Sequence, residues 1–313
     1  MSVATTHLFF VAHQDDELLT FGGTIVELLL EQQTVYVACL SKGEKSMARG
    51  LLGNGQTCPW HHGAHNKNMD EEEFSHLRDK EFYDSCLALG VASERILMPT
   101  KRLTDGMATP WDAYQIMDDL FMRTQGAILH THTPLGGSSQ HRDHQALGVA
   151  GLMLRLQHGC DTRFYLDPYL MDGSEDTVLG ESVICSDVTD EAMRSRLARA
   201  AASYRRWDPE ASRFAIGYHS VPDYYAKLDS RAVFWRHEVD IDRLPDAFEM
   251  WYQKATTAQR AVDNLQNDAS LRQLEGENAQ LRNEMDALMN SRSYRFGRAL
   301  TSPWRMLRNL VAR

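Results

Sequence analysis

The stretch from His7 to Gly23 constrains the fold of this chain more than any other part of the sequence. It opens with an apolar run, Leu8 to Ala12, which has the length and composition of a buried strand. The run ends at HQDDE (His13 to Glu17), which holds one histidine and three carboxylates in five residues. An apolar, helix-like segment, Leu18 to Leu30, follows. This order predicts one unit of an open α/β sheet, where chemistry lies at the carboxyl ends of the strands.

Carboxylates packed this closely in the sequence indicate either a bound cation or exposure to water. Burying like charges together costs free energy unless a positive charge compensates them. His13 and Asp16 lie three residues apart and offer a nitrogen and an oxygen ligand for a divalent metal ion. The alternative is a solvated loop in which Asp15 or Asp16 caps the next helix.

A second stretch repeats this layout and favours the metal site. Ala127 to His132 (AILHTH) predicts another buried strand, and a turn-rich loop then leads to the motif HRDH, which ends at His144 and opens a helix. Two matched clusters at two strand ends are difficult to explain as helix caps. His13, Asp16 and His144 would supply three protein ligands and leave one coordination position open, as in catalytic zinc sites.

The paired motifs resemble those of a known family. AHQDDE at Ala12 to Glu17, followed by HRDH at His141 to His144, is similar to the AHPDDE and HxDH motifs of the PIG-L/LmbE-type zinc-dependent de-N-acetylases. The resemblance extends over roughly Thr6 to Glu238. Gln14 stands where the family usually has proline. Ser139 stands where some relatives have a tyrosine that helps to hold the oxyanion, so that role is not assigned here.

This resemblance implies hydrolysis of the N-acetyl group of an amino sugar, with one zinc ion per chain held by His13, Asp16 and His144. The substrate would be a GlcNAc-type glycan, conjugate or precursor. An acetamide is a poor electrophile and water a poor nucleophile, so zinc would lower the pKa of its bound water to about 7 and polarise the acetyl carbonyl. Asp15 would act as general base and then protonate the leaving amine.

The remaining site residues take supporting roles in this hypothesis. His141 would stabilise the developing oxyanion as an imidazolium, and Asp143 would orient one of the histidines. Arg78 is a candidate sugar contact by resemblance only. Two rival functions stay open: an amidase that acts on another amino-sugar conjugate, and a non-catalytic glycan-binding scaffold protein.

The first half of the chain alternates predicted strands and helices, which indicates an α/β fold. Strands are predicted at Thr34 to Leu40 and Arg95 to Met98, and helices at Glu71 to Leu89 and Trp111 to Arg123. The alternation predicts a Rossmann-like, mostly parallel sheet flanked by helices. Further strands are predicted within residues 163–170, 182–188 and 232–239. A G-x-G-x-x-G motif does not follow the first strand, so a nucleotide cofactor is not expected.

A long stretch, Lys45 to Asp70, reads as irregular and is rich in glycine. Loops of this length are usually functional or disordered, and a lid beside the metal is one interpretation. His61 and His65 lie within it, but the sequence shows no carboxylate or thiol well placed to complete a separate metal site with them. The sequence therefore favours a solvated loop.

Three domains are predicted: a deacetylase domain at 1–245, a helical linker with a short coiled coil at 246–290, and a basic amphipathic tail at 291–313. From Leu271 onward, apolar residues recur at alternating a and d positions. Asn278 falls at an a position, which favours a parallel two-stranded coil and hence a homodimer. The alternative is an amphipathic helix that folds back on the domain.

The tail carries arginines and aromatic residues without any acidic residue, in a chain whose net charge is −10. The acidic balance argues against nucleic-acid binding. The tail resembles the ends of bacterial surface-polysaccharide glycosyltransferases, which implies a role in glycan assembly. It would bind either an anionic membrane surface or glycan-synthesis enzymes. Scattered cysteines, none spaced C-x-x-C, and the lack of a long apolar segment predict a cytoplasmic protein, peripheral on the inner face of the membrane.

Overall fold

The computed structural model describes residues 4–124, 126–134, 141–166, 183–187, 190–225 and 235–239. All of these lie in the first of two units of the chain, Met1–Phe248; the second unit, Glu249–Arg313, lies outside the described residues. The predicted coil and tail therefore also lie outside them. None of the described helices combines the length and the apolar character that a membrane span requires.

A seven-stranded sheet forms the centre of the described part, with strand order β3-β2-β1-β4-β5-β9-β6. The first five of these strands run parallel, whereas β9 pairs antiparallel with both β5 and β6. The short strands β7 and β8 pair with each other. The strand bounds are β1 Thr6–Val11, β2 Thr34–Cys39, β3 Ile96–Leu97, β4 Ile128–His132, β5 Thr162–Tyr165, β6 Val183–Asp187, β7 Trp207–Asp208, β8 Arg213–Phe214 and β9 Trp235–Val239.

Helices cover both faces of this sheet, so the predicted α/β class with a mostly parallel sheet is confirmed. Their bounds are α1 Asp16–Leu19, α2 Gly22–Leu30, α3 Met47–Leu52, α4 Glu71–Leu89, α5 Pro110–Arg123, α6 Arg142–His158, α7 Glu191–Arg205 and α8 Ile216–Ser220. The sequence explains where the longer ones begin and end. For α4, the Asp70 side chain accepts the Glu73 N–H, and Gly90 ends the helix with a left-handed φ of 104°.

Strand β1 is buried on both faces, as expected for a central parallel strand. Because side chains alternate along a strand, Phe9 and Val11 join one apolar cluster with α2, α4 and α7. Leu8 and Phe10 join a second cluster with α5 and α6 on the opposite face. This burial holds the carboxyl end of β1, and the HQDDE loop after it, in a fixed position.

Two predicted segments differ from the structure. The single helix predicted at Leu18 to Leu30 is instead two helices, α1 and α2, and the break lets Phe21 pack edge-to-face against Phe9 and His132. The stretch predicted to be irregular, Lys45 to Asp70, contains the short helix α3. The Ser46 side chain caps α3 by accepting the Ala48 N–H.

Helix α6 approaches the loop after β4 closely at Gly148. A Cβ atom at this position would overlap backbone atoms of Thr133 and Pro134. We expect Gly148→Ala to destabilise the fold by about 1–3 kcal/mol in urea unfolding, since the backbone cannot yield as a side chain would. Gly50→Ala in α3 is the matched control, because nothing lies within 4 Å of its Cβ position. That variant should be neutral or more stable, and equal losses in both variants would contradict this packing.

Candidate active site

The loop after β1 folds tightly around its own carboxylates. The His13 N–H donates to Asp16 Oδ2 at 2.8 Å, and the Asp15 N–H donates to Glu17 Oε2 at 3.0 Å. Asp15 precedes α1 with a left-handed φ of 113°, a conformation that costs a residue other than glycine about 1–3 kcal/mol. The surrounding contacts hold the loop in this strained shape.

The HRDH motif lies beside this loop because β1 and β4 are neighbours in the sheet. His141 directly precedes α6, and Asp143 and His144 lie in its first turn. Parallel neighbours end at the same edge of a sheet, so the two motifs meet there. Asp16, Asp143 and His144 are each almost completely buried.

The three predicted metal ligands converge. His144 Nε2 lies 3.1 Å from His13 Nδ1 and 3.2 Å from Asp16 Oδ2, and the third pair, His13 Nδ1 and Asp16 Oδ2, is 3.7 Å apart. Around tetrahedral zinc, bonds of about 2.0–2.2 Å place neighbouring ligand atoms roughly 3.3–3.6 Å apart. The other oxygen of Asp16, Oδ1, is buried and makes no hydrogen bond within the described residues. The donor set therefore fits a divalent transition metal.

The charge balance of the site also calls for a cation. Burial alone would lower the pKa of His13, but contacts with Asp105, Asp143 and Asp16 raise that pKa well above its usual range. Burial likewise opposes ionisation of Asp16, yet the neighbouring histidines hold its pKa well below the usual range. The carboxylates thus remain charged and keep His13 protonated. A bound metal ion can supply this positive charge in place of the proton.

Asp143 lies where the sequence-based hypothesis places an orienting residue. Its Oδ2 lies 3.0 Å from His13 Nε2, and its two oxygens accept the N–H groups of Gly106 and Ala108 at 2.8 and 3.0 Å. A proton held on His13 Nε2 by this carboxylate leaves the Nδ1 lone pair directed at His144. Burial, the largest single effect, would raise the pKa of Asp143, but the hydrogen bond and charge of His13 and the N–H groups of Gly106 and Ala108 together lower it.

Two residues of the site were missed by the sequence analysis. His132, the last residue of β4, places Nε2 3.3 Å from Asp16 Oδ2 and stacks on His144 with ring centroids 4.0 Å apart. Asp105 Oδ1 lies 3.3 Å from His13 Nε2. The position of His132 at a strand end was a usable signal, whereas Asp105 lies in an irregular loop that carries no motif.

Asp15, the predicted general base, stands beside the ligands and contacts Arg78. The Arg78 guanidinium donates to Asp15 Oδ2 at 3.3 Å and to the backbone carbonyls of Gln14 and Gly43. Burial raises the pKa of Asp15 to about 7, since it outweighs the opposing effect of Arg78. Arg78 itself is buried. Its contacts with Asp15 and Gln14 anchor the HQDDE loop to α4, and its contact with Gly43 joins the loop after β2 to the same helix.

Glu17, to which the sequence analysis assigns no role, stabilises the HQDDE loop through hydrogen bonds. The Tyr204 hydroxyl on α7 donates to its Oε1 at 2.7 Å. Burial raises the pKa of Glu17 to about 8. Tyr204 is therefore a hydrogen-bond donor to the loop that carries Asp15 and Asp16.

His141 lies against the ligand histidines, with its ring centroid 4.4 Å from that of His13 and 4.8 Å from that of His144. Its Nδ1 is buried and makes no hydrogen bond with any residue that the structure describes. Burial first, then His13 and His144, lower the pKa of His141 to about 4. The ring is therefore neutral near pH 7 in this environment, whereas the sequence-based hypothesis uses an imidazolium.

The loop that carries His61 and His65 is not merely solvated, and this prediction was wrong. Cys58 supplies a thiol and His219 an imidazole distant in sequence, and one ligand atom of each lies within 4.8 Å of ligand atoms on both His61 and His65. Burial lowers the pKa of His61 to about 4 and also lowers the pKa values of His65 and His219. Cys58 was overlooked although it lies only three residues before His61, and His219 could not be placed without the fold.

Comparison with known proteins identifies the family to which part of this chain is similar. Residues 8–154 match the family model PIG-L, described as GlcNAc-PI de-N-acetylase. A probable N-acetylglucosaminyl-phosphatidylinositol de-N-acetylase of Dictyostelium discoideum is 27% identical over 151 residues, which cover 47% of this chain and 48% of that protein. A probable N-acetyl-alpha-D-glucosaminyl L-malate deacetylase 2 of Bacillus cereus is 24% identical over 180 residues, 57% of this chain and 73% of that protein. The match thus spans about half the length of the first relative.

Solved structures share the fold. The pseudoaglycone deacetylase Dbv21 superposes with a TM-score of 0.52 at 18% identity and covers 76% of this chain and 97% of its own. A deacetylase in the biosynthesis pathway of teicoplanin gives a TM-score of 0.51 at 16% identity, over 75% of this chain and 97% of its own. At such identities the likeness concerns the fold alone. The family assignment rests on the family model, which shows that residues 8–154 of this chain are a PIG-L family domain.

Proposed function

We propose that this chain is a zinc-dependent deacetylase that removes the N-acetyl group of an amino sugar in surface-polysaccharide or glycoconjugate biosynthesis. One observation carries the proposal: His13, Asp16 and His144 converge beside a buried carboxylate, Asp15, at the carboxyl edge of the sheet. The two curated relatives are named as deacetylases of N-acetylglucosaminyl compounds, which supports an amino-sugar substrate. The structural neighbours support the fold only.

Hydrolysis adds water across the amide bond, and the residues present can move its protons. A divalent ion held by His13, Asp16 and His144 supplies Lewis-acid activation of a carbonyl group and of water. Asp15 takes the proton of the attacking water, whose oxygen bonds to the acetyl carbon. The C–N bond then breaks and Asp15 passes that proton to the departing nitrogen, so that a free amine and acetic acid are formed, and the acid releases its remaining proton to water as acetate.

Three further residues position this chemistry in the proposal. A neutral His141 donates a hydrogen bond to the developing oxyanion, which is consistent with its lowered pKa. Asp143 orients His13 through Nε2. The contacts of Arg78 with Asp15 and two backbone carbonyls favour a positioning role for this residue over the sugar contact that the resemblance implied.

The experiment is a substrate panel with the purified full chain loaded with zinc. N-acetylglucosamine is offered free and in nucleotide-, lipid- and polymer-linked forms, and mass spectrometry follows acetate and the free amine. We expect acetate release from at least one form, and none from the chelated protein. Release of a different acyl fragment would favour the rival amidase. Binding without turnover across the panel would instead favour a glycan-binding scaffold.

The C-terminal assignments rest on sequence alone, and we propose them unchanged: a coil within 246–290 that forms a homodimer, and a tail at 291–313 that binds either an anionic membrane at the cytoplasmic face or glycan-synthesis enzymes. Each arginine near such a surface could contribute about 1 kcal/mol, and two tails in a dimer would raise avidity. A chain that ends at Asn290 but still floats with anionic vesicles would contradict the tail proposal. If light scattering showed that a chain ending before Leu271 has the same oligomeric state as the full chain, the coil proposal would be contradicted.

A further inference from the structure

We propose that Cys58, His61, His65 and His219 form a second metal site, a structural zinc site distinct from the one around His144. One ligand atom from each of these four residues lies within 4.8 Å of every other. The donors are one sulfur and three imidazole nitrogens, the ligand types that zinc prefers. Four protein ligands complete a tetrahedron, so this site would stabilise structure and take no part in catalysis.

The distances within the cluster are close to those of a zinc tetrahedron. His61 Nε2 lies 3.1 Å from His65 Nε2, and Cys58 Sγ lies 3.6 Å from His219 Nε2. Bond lengths of about 2.0–2.1 Å to nitrogen and 2.3 Å to sulfur place two nitrogens roughly 3.3–3.4 Å apart and a nitrogen and a sulfur about 3.6 Å apart. Small side-chain movements therefore suffice to accommodate the ion.

The local backbone is built to bring two of the ligands together. Thr57 and Ala64 form an antiparallel bridge, and inside it the Cys58 N–H donates to the Gly63 carbonyl at 2.9 Å. This closed turn holds Cys58 and His61 three residues apart on one side of the loop. A Cβ at Gly63 would lie 3.0 Å from both His61 Nδ1 and Trp207 Nε1, so glycine allows the close approach.

A contact behind His219 orients its ring for a metal, whereas the contact behind His61 has to change when a metal binds. His219 Nδ1–H donates to the Ala215 carbonyl at 2.7 Å, which leaves the Nε2 lone pair directed at Cys58. The Gly63 N–H donates to His61 Nδ1 at 3.0 Å, so His61 carries its proton on Nε2 when no metal is bound. Binding requires that proton to move to Nδ1. The contact with Gly63 is lost, and metal–nitrogen bonds replace the hydrogen bond between His61 and His65.

Burial makes a purely solvated interpretation untenable. Cys58, His65 and His219 expose 5%, 3% and 8% of their surfaces. Buried polar groups require partners. The four ligand atoms are linked to one another by two hydrogen bonds, between His61 and His65 and between Cys58 and His219, so each pair satisfies itself without contacting the other pair. A metal ion would satisfy all four at once. It would also join the loop before α4 to α8, whose first two N–H groups, at Ile216 and Gly217, already bond to Glu81 on α4.

Cobalt substitution tests this proposal directly. The full chain is stripped with a chelator and titrated with Co²⁺, and the near-ultraviolet absorption of thiolate-to-cobalt charge transfer is recorded. The site around His144 has no sulfur ligand, so the band reports Cys58 alone. We expect the band in the unmodified protein and its loss, with one equivalent of bound metal, in Cys58→Ser. Cys160→Ser is the matched control, since this free thiol lies outside the cluster, and it should keep both.

The His144→Ala variant separates the two sites, because it should keep the band while it loses the other equivalent of metal. A protein that binds cobalt without any thiolate band would overturn the proposal, and so would a band that disappears in Cys160→Ser. The unmodified protein and these two variants decide the matter even if Cys58→Ser fails to fold. None of these readouts depends on deacetylase activity.

Discussion

Replacing Asp15 with asparagine is expected to lower kcat for acetate release by about 10²- to 10⁴-fold, the range that a general base typically contributes. Metal content should not change, because the three converging ligand atoms belong to His13, Asp16 and His144. KM should change little, since the lost interaction acts on the proton of the attacking water. Steady-state kinetics and metal analysis of the purified variant measure these quantities.

The structure explains why asparagine is the informative substitution for Asp15. The amide side chain would keep an oxygen that accepts from Arg78, so the anchored shape of the loop should survive. It would lose only the ability to take a proton. Burial raises the pKa of Asp15 to about 7, which places this carboxyl near the value that suits a base at neutral pH.

A matched control is Asp119→Asn, which makes the same chemical change at an exposed carboxylate on α5 paired with Arg123. It should leave kcat and metal content unaltered. If Asp15→Asn retained full activity, Asp15 would not be the base. If it lost an equivalent of metal, Asp15 would be a ligand, and the division of roles between Asp15 and Asp16 would have to be reversed.

The parts of the site that could be predicted are those that a local pattern and one topological rule determine. The apolar runs before His13 and before His132 specify buried strands, and parallel neighbours in a sheet end at one edge. From this alone, the two polar motifs were expected to meet. The same reasoning applied to the last residue of β4 would have added His132, which was passed over because it precedes the motif.

Other parts depend on long-range packing that no local pattern encodes. His219 is 161 residues from Cys58, and the two meet only because α8 packs beside the loop after α3. Asp105 reaches His13 from an irregular segment whose backbone is held by Glu44, which accepts the Asp105 N–H. Its location follows from a loop conformation, and a composition or periodicity argument does not contain that information.

The break between α1 and α2 shows a further limit of pattern analysis. Leu18 to Leu30 is apolar on nearly every face, so its periodicity cannot reveal where a helix ends. In the structure, Phe21 lies between the two helices and packs against Tyr165 with ring centroids 5.1 Å apart. Tertiary packing overrides helix propensity at this point.

Replacing His144 with alanine should remove one equivalent of metal per chain and abolish measurable acetate release. His144 Nε2 lies within 3.2 Å of ligand atoms on both His13 and Asp16, so the substitution removes one of the three protein ligands of the site. Removing a residue that merely orients a ligand typically costs about 10- to 100-fold in metal affinity. Removing the ligand itself should therefore cost more than about 10²-fold.

Asp143→Asn provides an intermediate case. It should weaken metal binding by about 10- to 100-fold, the range expected for an orienting residue and less than the loss expected for a ligand. The matched control is His158→Ala, at the other end of the same helix, where the ring pairs with Asp118 at 2.6 Å and is remote in sequence from the motif. It should keep metal and activity. Full metal content in His144→Ala would show that other residues, such as His132, complete the site. Undiminished acetate release after loss of the metal would exclude metal-assisted hydrolysis altogether.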